Sequence, residues 1–126
     1  DSEVIVTCRG ATCGEVTRTQ PQSWITGNAM VVKPSDSRVI SEFLFYLLKA
    51  DGLKSVVSGS AQPQITRVGF VPLQVSFPNE TEQQRIANCL SALDNLIDAR
   101  AEKLDALRTH KRGLMQQLFP SPEDAK

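Results

Sequence analysis

From Ile86 onward the apolar positions follow a strict alternation of four- and three-residue steps. The series is Ile86, Leu90, Leu93, Ile97, Arg100, Leu104, Leu107, Lys111, Leu114 and Leu118, with eight of its ten members apolar. A sustained 3.5-residue period is the pattern of a coiled-coil seam. Helix-start signals stand just after Pro78: Asn79 with Glu82, or Thr81 with Gln84, each makes a capping pair in which the first side chain accepts from an orphan N–H and the second reaches back. The spacing predicts one helix over 79–119, on the order of 55–60 Å long at ~1.5 Å per residue. Amphipathic helices more often pack on their own domain, but the residues before this one are too few to cover it. The stripe therefore needs a second helix, from another chain or from a part of a parent protein outside this one. Arg100 and Lys111 interrupt the seam; each is a register device, an ion-pair partner for an opposing carboxylate, or a stem reaching water. Gly113 costs roughly 1 kcal/mol relative to Ala in a helix interior, and it either admits close approach of another chain or weakens the last turns.

Upstream the chain reads as short strands. EVIVTC (3–8) is rich in β-branched residues and runs into the turn-forming RGATCG; EVTR, SWIT and AMVVK follow, separated by TQPQ and GN, so a small sheet is expected. From Ser37 the period becomes helical, with Val39, Ile40, Phe43, Leu44, Leu47 and Leu48 on one face and Gly52 placed as a stop. SGSAQPQ (58–64) has no apolar residue larger than Ala and reads as a mobile loop. VPLQVSF (71–77) alternates Val71, Leu73, Val75 and Phe77, which aims one face of an extended segment at the core. The fold class is α+β: a small mixed sheet-and-helix head over 1–78, one long C-terminal coiled-coil-type helix over 79–119, and a tail over 120–126.

Composition narrows the function by exclusion. The 126 residues hold fourteen Lys plus Arg against fourteen Asp plus Glu, so no global field advertises a polyanion or a membrane. Residues 1–79 carry seven basic and six acidic residues and 80–118 carry six of each; any basic surface must be local. No apolar run approaches the roughly eighteen residues of a bilayer span, and no leader pattern opens the chain. A cytoplasmic location is expected, and three cysteines, an odd number, fit a reducing compartment. The start at Asp1, directly before a strand-like run and without Met, is that of a processed chain or a fragment.

EQQRIANCLSALDNLIDARAEKLDALRTHKRGLMQQLFP closely resembles the helical region of the specificity subunits of type I restriction-modification systems, and the resemblance extends upstream. RGATCGEV, WITGNAMVV and GSAQPQITRVGFVPLQVSFP resemble the second half of a target recognition domain of the same family. Glu82-Gln83, Ile86-Ala87 and Lys111-Arg112-Gly113-Leu114 through Pro120 carry the specificity in combination. The resemblance implies a non-catalytic subunit that reads half of a split DNA sequence. Partner modification subunits would hold S-adenosylmethionine and methylate adenine; a restriction subunit would translocate and cut. It further implies that two such helices pair antiparallel as a spacer between half-sites, a length-to-target logic shared with other dimeric readers. The chain departs from the family pattern in having one helix, only the later half of one recognition domain, and PNETEQ where many members place Pro-Leu.

Donors suited to base edges or phosphates are Gln62, Gln64, Thr66 and Arg67, in and after the loop, and Arg9, Thr17 and Arg18 beside the first strands. Their bland alternative is ordinary surface polarity. Cys8 and Cys13 lack C-x2-C spacing and His110 is the single histidine, so neither a metal site nor a Cys-His nucleophile is expected; His110 reads as a solvent-facing helix residue. Trp24 is expected in core or rim packing, with base stacking as its functional alternative. No phosphate-cradling glycine loop, methyltransferase motif or nuclease motif appears. Three readings compete: a DNA-recognition and assembly subunit, which the resemblance favours; a coiled-coil interaction module without DNA contact; and a small Cys-His hydrolase. When no second helix is supplied, the seam from Ile86 to Leu118 is expected to form an antiparallel homodimer.

Overall fold

The computed structural model describes residues 2–51, 53–59 and 61–119. The expected helix stop at Gly52 and the tail over 120–126 lie outside the described residues. The architecture is α+β: three short strands, two helices in the head, and one long helix at the C-terminal end.

β1 (Val4–Thr7) is the central strand, flanked by β2 (Val16–Arg18) and β3 (Ala29–Val32), both antiparallel to it. Val4 lies opposite Arg18 on one side and Val32 on the other. Alternation decides what the strand buries: Val4 and Val6 are fully buried while Ile5 and Thr7 are half-buried. The β1–β2 connection closes through a bulge. Thr7 N donates to Glu15 O at 2.9 Å and Thr7 O accepts from Gly14 N at 2.8 Å, so Thr7 faces two residues, and Gly14 takes φ 91° to make this possible.

α1 (Ser41–Asp51) packs over β1 and β2. Phe43, Leu44, Phe45 and Leu48 are buried on it and join Val4, Val6, Val16, Val32, Val39, Leu53 and Ile65 in one core. At about 1.5–3 kcal/mol for each fully buried large aliphatic side chain, this face outweighs any single surface contact. One expected strand does not form. SWIT lies between two tight turns, with Ser23 N and Oγ both donating to Gln20 O (3.2 and 2.7 Å) and Ala29 N donating to Thr26 O (3.1 Å), so its four residues find no ladder. Trp24 is accordingly 93% exposed, which overturns its expected place in core or rim packing. A short helix that the period had not indicated, α2 (Arg67–Phe70), is capped by Thr66, whose Oγ1 accepts from Gly69 N at 3.2 Å. In the segment after it Leu73, Val75 and Phe77 are half-buried as the alternation requires, whereas Val71 is exposed because it closes the last turn of α2.

α3 (Glu80–Leu118) has 39 residues. Of the two capping pairs, Asn79 is the one that caps: its Oδ1 accepts from Glu82 N at 3.0 Å and its backbone O from Gln83 N at 3.0 Å. The chain divides into two compact units, Asp1–Asn88 and Cys89–Lys126. The first turns of α3 belong to the head because Gln83 and Ala87, four residues apart on one helix face, are both fully buried. Gln83 is the buried polar residue of the core, and its amide is completely used. Oε1 accepts from Ile40 N (2.9 Å), and Nε2 donates to Arg38 O (3.0 Å) and Pro78 O (2.9 Å). Arg38 is itself fixed by Asp36, which accepts from its backbone N (2.9 Å) and its guanidinium (2.6 Å). Those hydrogen bonds hold the Asp36 carboxyl down to about 2.

In the second unit the seam residues Leu90, Leu93, Ile97, Leu104, Leu107, Leu114 and Leu118 are exposed, as are Arg100 and Lys111. Ile86, by contrast, is half-buried and packs on the head core. Gln83→Ala will strand the Ile40 N–H and two carbonyls at a part-buried junction. At ~1–3 kcal/mol for each orphaned group, with partial relaxation, unfolding stability should fall by about 3 kcal/mol. Urea denaturation of the head signal measures it, and a loss below about 1 kcal/mol would show that water replaces the amide.

Candidate nucleic-acid interface

The segment read as a mobile loop is a closed hairpin. Ser58 N donates to Gln64 O (2.9 Å) and Gln64 N to Ser58 O (2.8 Å), while the Ser58 hydroxyl adds a bond to the same Gln64 carbonyl (3.2 Å). Gly59 makes the turn possible: it sits at φ 86°, and a Cβ there would meet Gln62 O at 2.6 Å. Two anchors tie the hairpin to the sheet. Ile65 is buried in the core, and its N–H donates to Cys8 O at 2.9 Å, which brings Arg9 into antiparallel register with Gln64.

The predicted DNA-contacting residues thus separate into groups. Arg9, Gln62 and Gln64 come together at the hairpin and are exposed. Thr66 and Arg67 follow directly, but the Thr66 hydroxyl is engaged in capping α2, which leaves Arg67 as the free donor of that pair. Arg67 also borders a cleft of about 1060 Å³ between β3 and the segment 71–77, lined by Met30, Val39, Phe70, Leu73 and Phe77 among others. Thr17 and Arg18 belong elsewhere. Arg18 faces Val4, five residues along the chain from Arg9 and so roughly 16 Å away in extended backbone. Its guanidinium is committed to Glu42 (3.3 Å) and lies 5.7 Å from the centre of the Phe45 ring.

Charge bookkeeping adds a residue that pattern reading missed. Arg38 is paired with Asp36, Lys33 with Glu3 and Arg18 with Glu42, and Lys49 lies over Phe45. Among the described residues Arg9, Lys54 and Arg67 are the head's cations with neither an ion pair nor an aromatic partner. The signal for Lys54 was present in the sequence: residues 52–79 contain no Asp or Glu but hold both Lys54 and Arg67. An exposed cation in an acid-free stretch presents an uncancelled local field, which suits phosphate.

Cys8 is buried and its thiol is pushed up by burial and by the nearby Cys13, which works against a thiolate nucleophile. His110 is exposed on α3, and among the described residues no three His, Cys, Asp or Glu are grouped to hold a metal.

Comparison with known proteins gives the chain's relatives. Residues 1–109 match the family model described as the type I restriction modification DNA specificity domain. The chain is similar to the type I restriction enzyme MjaVIII specificity subunit of Methanocaldococcus jannaschii, 28% identical over 122 residues, which is 94% of this chain and 28% of that protein. It is also similar to the MjaIX specificity subunit of the same organism, 33% identical over 90 residues, covering 68% of this chain and 21% of the relative. The chain therefore spans less than a third of the length of either curated relative.

Gly59→Ala tests whether the hairpin depends on its glycine. The added methyl meets a backbone oxygen at a φ that L residues rarely adopt, so the hairpin should open at a cost of about 1–3 kcal/mol. Amide hydrogen exchange at Ser58 and Gln64 should accelerate while exchange in α1 stays slow; unchanged protection at both would show the turn tolerates a side chain.

Proposed function

The chain belongs to the type I restriction modification DNA specificity family, and on that premise we propose that it is a DNA-recognition and assembly module of a type I restriction-modification complex. In this reading the head contacts one part of a double-stranded target and the exposed seam of α3 packs on a second helix, so recognition and assembly occupy different parts of the chain. The module itself is non-catalytic. Adenine methylation is performed by modification subunits that bind S-adenosylmethionine, and translocation and cleavage by a restriction subunit, in the cytoplasm. No helix among the described residues is long and apolar enough to cross a membrane.

The observation that carries the DNA assignment is that, among the described residues, Arg9, Lys54 and Arg67 are the head cations with neither an ion pair nor an aromatic partner, two of them in a stretch without Asp or Glu. The observation that supports assembly is the exposed stripe from Leu90 to Leu118. Seven apolar side chains on one helix face exceed the scattered exposure normal for a surface, and a seam of this period is covered by another helix. A second copy, antiparallel, supplies that helix when the rest of a longer specificity subunit does not. The competing reading, a coiled-coil module without DNA contact, keeps the seam but leaves the three cations without a role.

The deciding experiment is duplex binding by the chain assembled with a modification subunit, measured across a salt series. A DNA-recognition module loses affinity steeply with salt, and Arg67→Ala should weaken binding by ~1–3 kcal/mol and reduce the slope by about one released counterion. Salt-independent or absent binding by a stable assembly would leave the interaction-module reading standing. Leu93→Asp with Leu104→Asp places two carboxylates in the seam, and multi-angle light scattering should then report monomer. A folded monomer for the unaltered chain alone would count against the homodimer.

A further inference from the structure

Arg9 and Gln64 are joined by the backbone in a way that fixes where both side chains go. Ile65 N donates to Cys8 O, the residues just beside them, so Arg9 and Gln64 are the directly opposed, non-hydrogen-bonded pair of an antiparallel bridge. Such pairs have Cα atoms ~4.5 Å apart and side chains on the same face. That face points to solvent, because both neighbours on the opposite face, Cys8 and Ile65, are buried. Gln64 is bridged on its other side by Ser58, whose hydroxyl is spent on the Gln64 carbonyl. Among the described residues neither the Arg9 guanidinium nor the Gln64 amide has a hydrogen-bond or ion-pair partner.

We propose that Arg9 and Gln64 form a two-residue reading row that enters the major groove and contacts adjacent base pairs, Arg9 taking a guanine and Gln64 an adenine. The assignment rests on the DNA-recognition reading above and goes beyond it by naming the bases and their spacing. A two-stranded ribbon fits the ~12 Å major groove, and the planar guanidinium fork matches guanine O6 and N7 as the carboxamide matches adenine N7 and N6. Successive base pairs rise by ~3.4 Å, about an ångström less than the ~4.5 Å between the two backbone positions, a difference that two long side chains absorb, so one row addresses two neighbouring steps. The pairing also lowers the cost of recognition, because the backbone that carries both donors is ordered before DNA arrives. Arg67 and Lys54 lie outside the row and serve phosphates.

The test is selection of bound sequences from a randomised duplex pool by the chain assembled with a modification subunit, for the unaltered protein and for Arg9→Ala, Arg9→Lys and Gln64→Ala. Arg9→Ala should erase a guanine preference at one position and Gln64→Ala an adenine preference at the adjacent one, each by roughly 5- to 150-fold, the range of a bidentate base contact. Arg9→Lys keeps the charge but not the fork, so it should hold overall affinity better than Arg9→Ala while retaining only part of the guanine preference. The proposal is overturned if Arg9→Ala and Gln64→Ala weaken binding but retain the full motif, as phosphate contacts would, or if the affected positions are not neighbours. A stable assembly of unaltered protein that selects no motif sinks the recognition reading itself, and this assignment with it. All three substitutions are at exposed positions, and thermal unfolding confirms that each variant is folded before its motif is read.

Discussion

One amide organises the head. Gln83 is the buried side chain in the first turns of α3 that ties a segment distant in sequence, the approach to α1 through Arg38 and Ile40, to the end of the extended segment at Pro78. A hydrophobic residue at this position would bury as much surface, yet it could not satisfy the Ile40 N–H or the two carbonyls, each of which would cost roughly 1–3 kcal/mol unpaired. Glutamate would accept from Ile40 but repel both carbonyl oxygens. Glutamine is the side chain whose single acceptor and paired donors fit one N–H and two C=O groups at once. Its neighbours reinforce it. Asp36 pins Arg38, the Arg38 guanidinium sits 5.7 Å from the centre of the Phe77 ring, and Ala87, one turn on, lets the helix backbone approach the core closely.

The reading edge depends on the same economy of placement. Ile65 is a core residue in an otherwise polar stretch, and burying it drags the neighbouring Gln64 into line with Arg9. The hairpin then needs no apolar residue of its own, because its register is set at the base by Ile65 and at the tip by the glycine turn. This is how Ser58 and Gln64 come to be paired in a stretch poor in apolar residues: the entropy of fixing them is offset outside it.

How much of this was legible in the sequence follows from what each signal measures. Long-range periodicity is strong in α3, where ten positions repeat one step, and the helix runs over nearly the expected span. Strands β1, β2 and β3 were legible from β-branched runs, and α1 from its apolar face. SWIT misled because composition records a residue's preference, while Gln20 and Thr26 decide the backbone through turns that close on them. The hairpin misled in the opposite sense, since lack of apolar residues reads as mobility when the anchor is a single isoleucine. Val71 failed the alternation because four residues of α2 intervene before the extended segment begins. The role of Gln83 was invisible for a similar reason: a glutamine on a helix is surface by default, and only the arrival of Ile40, Arg38 and Pro78 around it makes it core. Among the candidate contacts, Arg18 looked as available as Arg9, and what separates them is a carboxylate twenty-four residues away.

That separation also resolves the puzzle of a neutral protein assigned to a polyanion. The chain's fourteen basic and fourteen acidic residues cancel in sum, but electrostatic attraction at ~8–10 Å screening lengths depends on the charges within reach of a phosphate, not on the total. In the head three of the six acids are spent internally, Glu3 on Lys33, Asp36 on Arg38 and Glu42 on Arg18, while Glu15 is exposed outside these pairs. Each pair removes one carboxylate and one cation from the field seen by a partner. Among the described residues Arg9, Lys54 and Arg67 stay exposed and outside these pairs, and Lys54 and Arg67 lie within residues 52–79, which contain no Asp or Glu. Pairing does more than add stability here, since surface ion pairs contribute little of it. Its larger effect is to sort the charges, leaving three head cations outside any ion pair among the described residues.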